Sequence, residues 1–363
     1  MSEQTAKTTD IYALTSLRGV AALWVLLHHF SPDLFNLLPA MRWFQPILKF
    51  GHLAVPLFFI LSGYVLGIRY LDRFQTIRFK ELLLFWWLRL GRIYPVHLAA
   101  LFCCLLLVIS SKHPVDPRNS LDSFLANIFL VHAWEYEFTT LAWNYPSWSI
   151  SSEWFAYLLF PTLAWSVCRL SIRTTSILFL LTIPCSVMVF TLDSIVFRGL
   201  VYIIPTFFGG VFLARLHARW QKTIRFRLTD FLVILGIVLP YLVTNEKIVH
   251  ACYLVLFFLL VLLFALAGNT ATWIWKSRAL VFLGNISYSL YMTHALVLMV
   301  LGGVIPFGAM PEYPLITRIL TTLGCLIAMF AAAIVMYYFV EKPWRTASRR
   351  ASRSIRPQTQ SGP

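Results

Sequence analysis

Ten apolar runs, each about as long as a bilayer is thick, follow one another along the 363 residues, and this succession leaves the chain few possible folds. In hydrocarbon every backbone N–H and C=O must be bonded within the protein, so only helices and closed barrels cross a membrane. Runs of about twenty residues suit helices, whereas a transmembrane strand needs only about ten residues of alternating polarity. The runs lie at 14–33, 50–68, 94–111, 146–168, 175–193, 199–214, 229–245, 249–268, 279–302 and 316–340. Composition agrees: 59% of residues are hydrophobic and 12% charged, against about 25% charged in a soluble domain. The expected fold class is all-α, a polytopic integral membrane protein with about ten transmembrane helices over residues 1–345. A basic, unstructured tail is expected at 346–363, where Ser, Arg and other polar residues dominate.

Charge orients the bundle. With a cytoplasmic N-terminus, 23 of the 30 Lys and Arg fall on the cytoplasmic side, leaving Arg42, Lys49, Lys112, Arg118, Arg198, Lys247 and Arg318 outside. The positive-inside rule selects this orientation, with both termini in the cytoplasm. The net charge of +15 is then a topology signal and an attraction to anionic lipid, which argues against a nucleic-acid partner. The first ten residues are polar and the first apolar run lacks a small-residue cleavage site, so that run is expected to remain as a helix. The six cysteines form no CxxC pair and read as buried structural thiols, with no metal. Two segments are not simple spans. Residues 69–93 mix six basic residues with Leu, Phe and Trp, which suits an amphipathic helix on the cytoplasmic surface. Residues 112–145 hold an apolar piece, Phe124 to His132, too short to span; it is either re-entrant or interfacial.

Certain polar residues sit where a bilayer disfavours them. Arg18 and His29 share the first run, and a charge at the bilayer centre costs at least ~2.5 kcal/mol. They lie about 20° apart on the helical wheel and roughly 16 Å apart along its axis, whereas the neighbouring His28 is about 80° off. Ser62-Gly63 in the second run either permits close helix approach or puts a hydroxyl into the cavity of His29. Arg89 and Arg92, three apart on one face, form either a basic anchor or a phosphate clamp of two planar guanidiniums. Glu153 is the single acid of the fourth run and needs a partner; Ser149 stands one turn before it, and a histidine or arginine of a neighbouring helix would also serve. In the ninth run Ser287, Tyr291 and His294 fall within about 60° on the wheel as a polar stripe. Glu341 and Arg345 flank Pro343, which is expected to stop the last helix.

Taken in order, these blocks resemble the acyltransferase-3 family of multi-pass bacterial membrane proteins. The resemblance runs from about residue 12 to 345. It rests on Leu17-Arg18-Gly19 with His29, on Phe58 to Tyr64, and on the Arg89/Arg92 pair with Tyr94-Pro95. It continues through Trp148-Ser149-Ile150 with Glu153, Gly284 to Tyr291 ending at His294, and Glu341-x-Pro343-x-Arg345. One departure is Thr15-Ser16, where many relatives carry an acid before the Arg-Gly pair. The resemblance implies an O-acyltransferase of the bacterial inner membrane that moves an acyl group, usually acetyl, from acyl-CoA to a carbohydrate hydroxyl. Acceptors in the family include exopolysaccharide, lipopolysaccharide, peptidoglycan and Nod factors, and some members acylate macrolides. The chain reads as the stand-alone form, without the C-terminal hydrolase-like domain of some relatives.

The chemistry assigns roles. Transfer to an alcohol needs a base for the hydroxyl proton and a donor for the thioester oxyanion. His29 is the candidate base, or carries a transient acyl adduct. Glu153 orients it or holds the acceptor. Arg89 and Arg92 bind coenzyme A phosphates and Arg18 lines the donor path. Ser62, Ser149, Ser287, Tyr291 and His294 complete the cavity wall. The acceptor expected is an exopolysaccharide or its lipid-linked precursor, with acetyl-CoA as donor and possible contacts to glycan-assembly proteins. Two rival classes are a transporter of acyl groups or glycans and a non-catalytic partner of glycan assembly. The inverted repeats of a transporter are not visible in the sequence.

Overall fold

The computed structural model describes residues 3–110, 116–134, 142–191, 198–218, 228–267 and 273–355, and nearly all of them are helical. Counting the long helices in chain order, α1 is Glu3–Leu37, α2 Ala54–Tyr70, α3 Phe79–Ser110, α4 Trp148–Arg169 and α5 Ile172–Thr191. They are followed by α6 Arg198–His217, α7 Leu228–Leu242, α8 Glu246–Ala267, α9 Arg278–Val304, α10 Leu315–Met336 and α11 Lys342–Ile355. The first ten follow the ten apolar runs. Among the described residues eight helices are long and apolar enough to cross a membrane. The two of the ten outside that set are α7, with only 15 residues, and α4, whose first turns carry Ser149, Ser151, Ser152 and Glu153. Those serines are buried within the protein, where Ser151 Oγ donates to Leu130 O at 2.7 Å and Ser152 Oγ to Trp148 O at 3.0 Å.

Helices in lipid gain little from hydrophobic burial against one another, so close contact of small residues carries much of the packing. The main pairings are α1 with α9, α2 with α6, α5 with α6, and α9 with α10. At the α1–α9 crossing two glycines meet backbone to backbone. A Cβ on Gly19 would lie 2.6 Å from Gly284 N, and one on Gly284 would lie 1.9 Å from Thr15 O. At the α2–α6 crossing a Cβ on Gly63 would lie 2.0 Å from Phe207 O. Ser62, one residue earlier, points elsewhere, so the Ser-Gly pair serves packing and lines a cavity at once. Aromatic rings fill the core between these pairs: Phe85 and Phe160 stack at 5.2 Å, and Phe160 meets Phe207 edge-on at 6.2 Å.

Four expectations change. Residues 69–93 do not form a separate surface helix. A short turn at Asp72–Gln75 leads into α3, which runs as one 32-residue helix straight through Pro95. One missing hydrogen bond does not end a helix whose two halves are both held by tertiary packing. Pro343 likewise fails to stop the chain. A π-turn at Tyr337–Glu341 widens the backbone just ahead of it and α11 continues to Ile355. The tail expected to be unstructured from 346 on is therefore helical to Ile355; residues 356–363 lie outside the described set. The apolar piece at 124–132 belongs to a short helix, Leu121–Ile128, and the turn after it. Leu121, Leu125 and Phe129 are exposed while Ser123 and Asn127 are buried, so its apolar side faces outward and its polar side faces the protein. Of the cysteines, all free, Cys104 and Cys325 are buried but Cys103 and Cys185 are exposed.

Gly284→Ala should lower thermal stability in detergent by about 1–3 kcal/mol, since its new methyl meets backbone that must move. Gly302→Ala, on the same helix with nothing within 4 Å of its Cβ, should melt like the parent. Equal melting of the two variants would contradict the crossing.

Candidate active site

The glycine crossing sets the register of everything beyond it. His29 lies ten residues past Gly19 and His294 ten residues past Gly284, each roughly 15 Å along its helix. The two imidazoles consequently meet: His29 Nδ1 and His294 Nε2 are 3.0 Å apart and the rings stack at 5.0 Å. On its other ring nitrogen His294 contacts Leu290 O at 3.3 Å. A carbonyl only accepts, so Nδ1 of His294 carries the hydrogen and, in a neutral ring, its Nε2 accepts. His29 Nδ1–H is then the donor between them, and His29 Nε2 is left with a free lone pair. The side chain in hydrogen-bond contact with His29 is therefore His294, while Glu153 bonds to Ser62 and Tyr157. Tyr145 packs its ring 5.0 Å from His29. A row of imidazoles continues through His28, 4.9 Å from His29, to His52, whose Nε2 lies 3.2 Å from His250 Nε2.

Below this pair a polar cavity opens between α1, α2, α3, α4 and α9. Arg18 lines it, as do Ser62, Arg89 and Arg92. Ser149, Glu153, Ser287 and Tyr291 complete the set anticipated from sequence, so eight of the ten face one space. His29 and His294 lie just beyond it, behind Tyr291, whose ring is 5.9 Å from His294. The Tyr291 and Ser149 hydroxyls are 2.8 Å apart, and both reach Pro146 O, at 3.0 and 3.1 Å. That carbonyl, in the turn that leads into α4, also accepts from the Trp148 N–H. Ser149 is thus committed to Tyr291 and Pro146 rather than to Glu153. Ser287 Oγ donates to Gly284 O at 2.8 Å.

Glu153 finds its partners in hydroxyls instead of a histidine or arginine. Its Oε1 accepts from Ser62 Oγ at 2.6 Å and from Tyr157 Oη at 2.5 Å. Tyr157, one turn on from Glu153, is a site residue the sequence reading passed over, although the i,i+4 spacing signals it. The Arg89 guanidinium lies 5.9 Å from the Tyr157 ring and 5.5 Å from Tyr70, to whose hydroxyl Nη2 donates at 3.3 Å. Arg345 pairs with Glu341 at 3.0 Å as its spacing suggests, and Glu341 also accepts from Ser289 Oγ at 2.7 Å, tying the end of α10 to α9. Polar groups thus succeed one another through the bundle: the two histidines, then Tyr291 and Ser149, then Glu153 with its hydroxyls, then the arginines. Among the described residues no group of three or more His, Cys, Asp or Glu is arranged to hold a metal ion.

The family model described as an acyltransferase domain matches residues 11–338, which span the cavity residues from Arg18 to Tyr291 and both His29 and His294. The chain belongs to the acyltransferase-3 family. It is 34% identical over 152 residues to the acyltransferase MdmB of Streptomyces mycarofaciens, covering 41% of this chain and 38% of that one. It is 24% identical over 369 residues to the O-acetyltransferase OatA of Staphylococcus aureus, covering 93% of this chain and 58% of that one. The matches thus take in less than two thirds of the length of either relative. No solved structure matches.

Glu153→Leu would strand the Ser62 and Tyr157 hydroxyls, each worth about 1–3 kcal/mol when buried without a partner. A melt in detergent should show a clear loss for Glu153→Leu and a smaller one for Glu153→Gln, which keeps an acceptor. A larger loss for Glu153→Gln would contradict the hydroxyl cradle.

Proposed function

We propose that the chain transfers an acyl group, acetyl by preference, from acyl-CoA to a hydroxyl of a carbohydrate acceptor. It works in the bacterial inner membrane with both termini cytoplasmic. The acceptor is an exopolysaccharide or its lipid-linked precursor. The carrying observation is the contact of His29 Nδ1 with His294 Nε2, which leaves His29 Nε2 available as a base, at one end of a polar line whose other end is rich in arginine.

His29 Nε2 takes the proton of the acceptor hydroxyl as its oxygen attacks the thioester carbonyl carbon. The Tyr291 hydroxyl, at the boundary between cavity and histidines, turns its hydrogen from Pro146 O to the developing oxyanion, while Ser149 continues to donate to that carbonyl. The tetrahedral intermediate then collapses, the C–S bond breaks, and the CoA thiolate recovers the proton from the His29 imidazolium. The product is an ester and a free thiol, with no net change in His29. His294 acts here by holding the His29 ring and its tautomer, as the carboxylate does in a hydrolase triad. Glu153, tied to Ser62 and Tyr157, holds the cavity wall along the donor arm. Basic connections gather on the arginine side, which under the positive-inside rule supports a cytoplasmic donor, with the histidine end toward the glycan.

His29→Ala should insert and fold as the parent does yet lower acetyl-ester content of surface glycan by at least about 10²-fold. The readout is ester release from cells whose own copy is deleted and replaced by each variant at matched protein level. His294→Leu should lose most of the transfer rate, and His294→Gln, whose amide oxygen can accept from His29 Nδ1, should recover part of it. Parental ester levels in His29→Ala would overturn the reading.

A further inference from the structure

A second opening adjoins the cavity on the arginine side, and Arg69, Arg89 and Arg92 line both. Its far wall is α11, which contributes Arg345, Ser348, Arg349 and Ser352. These positions are spaced i, i+3, i+4 and i+7, so they form one face of the helix. The face is seated rather than loosely apposed: Ser348 is 3% exposed, and a Cβ on Gly91 of α3 would lie 2.0 Å from its Oγ.

The charge of this opening is one-sided. Five arginines line it and no acid does. Glu341 answers one of them, Arg345, from outside the lining. The Nε of Arg89 is buried with no hydrogen-bond partner. Guanidiniums held this close repel, and their planar forks match phosphate oxygens two at a time. Such a wall calls for a polyanion. Coenzyme A presents one whose order matches the protein's. Its thioester lies at the end of a long uncharged arm, the diphosphate follows, and the 3′-phosphate, carrying about −1.5 to −2 charges, is outermost. Along the protein the histidines and Glu153 come first, then Arg18, Arg89 and Arg92, and α11 is last.

We propose that α11 is part of the donor site: Arg349 binds the 3′-phosphate of the acyl-CoA donor and makes the protein selective for coenzyme A over carriers lacking that group, while the Ser348 and Ser352 hydroxyls, which donate to Trp344 O and Arg349 O, hold the helix face that carries it. This inference rests on the reading of acyl-CoA as donor. The same wall could also attract the phosphate of an anionic lipid, which the experiment must separate.

The test is equilibrium binding of coenzyme A and of dephospho-coenzyme A to the full chain in phosphatidylcholine nanodiscs, repeated with phosphatidylglycerol added. The parent should bind coenzyme A at least ten-fold tighter than the dephospho form. Arg349→Ala should bring coenzyme A down to the dephospho level and leave dephospho-coenzyme A unchanged, with Arg349→Lys recovering part of the difference. Arg350→Ala removes the same charge from a neighbouring position of α11 outside this opening and should bind both like the parent. Equal loss of both ligands in Arg349→Ala, or no loss, overturns the proposal. So does a variant that binds coenzyme A normally but no longer retains phosphatidylglycerol, which would make the opening a lipid-headgroup site. A parent that binds neither nucleotide would overturn the acyl-CoA reading itself.

Discussion

The site depends on the contact of Gly19 with Gly284. Where α1 crosses α9 there is no side chain between the two backbones, and a methyl on either glycine would collide with main-chain atoms. That crossing puts Arg18 and Ser287 into the same cavity on one side. Ten residues further along both helices it brings His29 against His294. Two imidazoles from residues 265 apart in sequence meet because two small residues let their helices touch. The α2–α6 crossing at Gly63 does a parallel task, since it fixes the helix from which Ser62 reaches Glu153.

Polar groups inside a membrane protein persist when they answer one another. Glu153 is held by two hydroxyls, Ser149 and Tyr291 share the Pro146 carbonyl ahead of α4, and Glu341 joins Ser289 to Arg345. The arginines are the exception. They crowd one end of the line with few acids nearby, and Arg89 keeps a buried nitrogen without a partner. Groups that are satisfied hold the walls in place, and those that are not mark where a charged ligand belongs. On that distinction rest the two roles proposed above, proton transfer at the histidine end and phosphate binding at the arginine end.

Much of this was legible in the sequence, for physical reasons that also explain the rest. Apolar runs of bilayer length gave the ten helices because backbone satisfaction in lipid leaves no alternative. The wheel put Arg18 and His29 on one face, and Ser287, Tyr291 and His294 on another. What the wheel cannot tell is which helix each face meets. Glu153 was thus open to a histidine or arginine partner and instead takes Ser62 and Tyr157, and the orienting group for His29 came from α9. The matching ten-residue intervals from Gly19 to His29 and from Gly284 to His294 were present in the sequence. They acquire meaning only once the two glycines are known to touch. The proline rule misled at Pro343, where a π-turn just ahead of it absorbs the strain and the chain continues as α11. With α11 ended early, Arg349 could not be seen to join the arginine wall.

The central claim is that the polar line carries an acyl group from the arginine end to the histidine end. Membrane vesicles of both orientations from expressing cells, supplied with acetyl-CoA labelled in the acetyl group, test it most directly. The account requires labelled ester to form only when the arginine end faces the donor, to appear on glycan at the opposite face, and to leave all coenzyme A on the donor side. Equal labelling from either face, or esters confined to the donor's side, would contradict it.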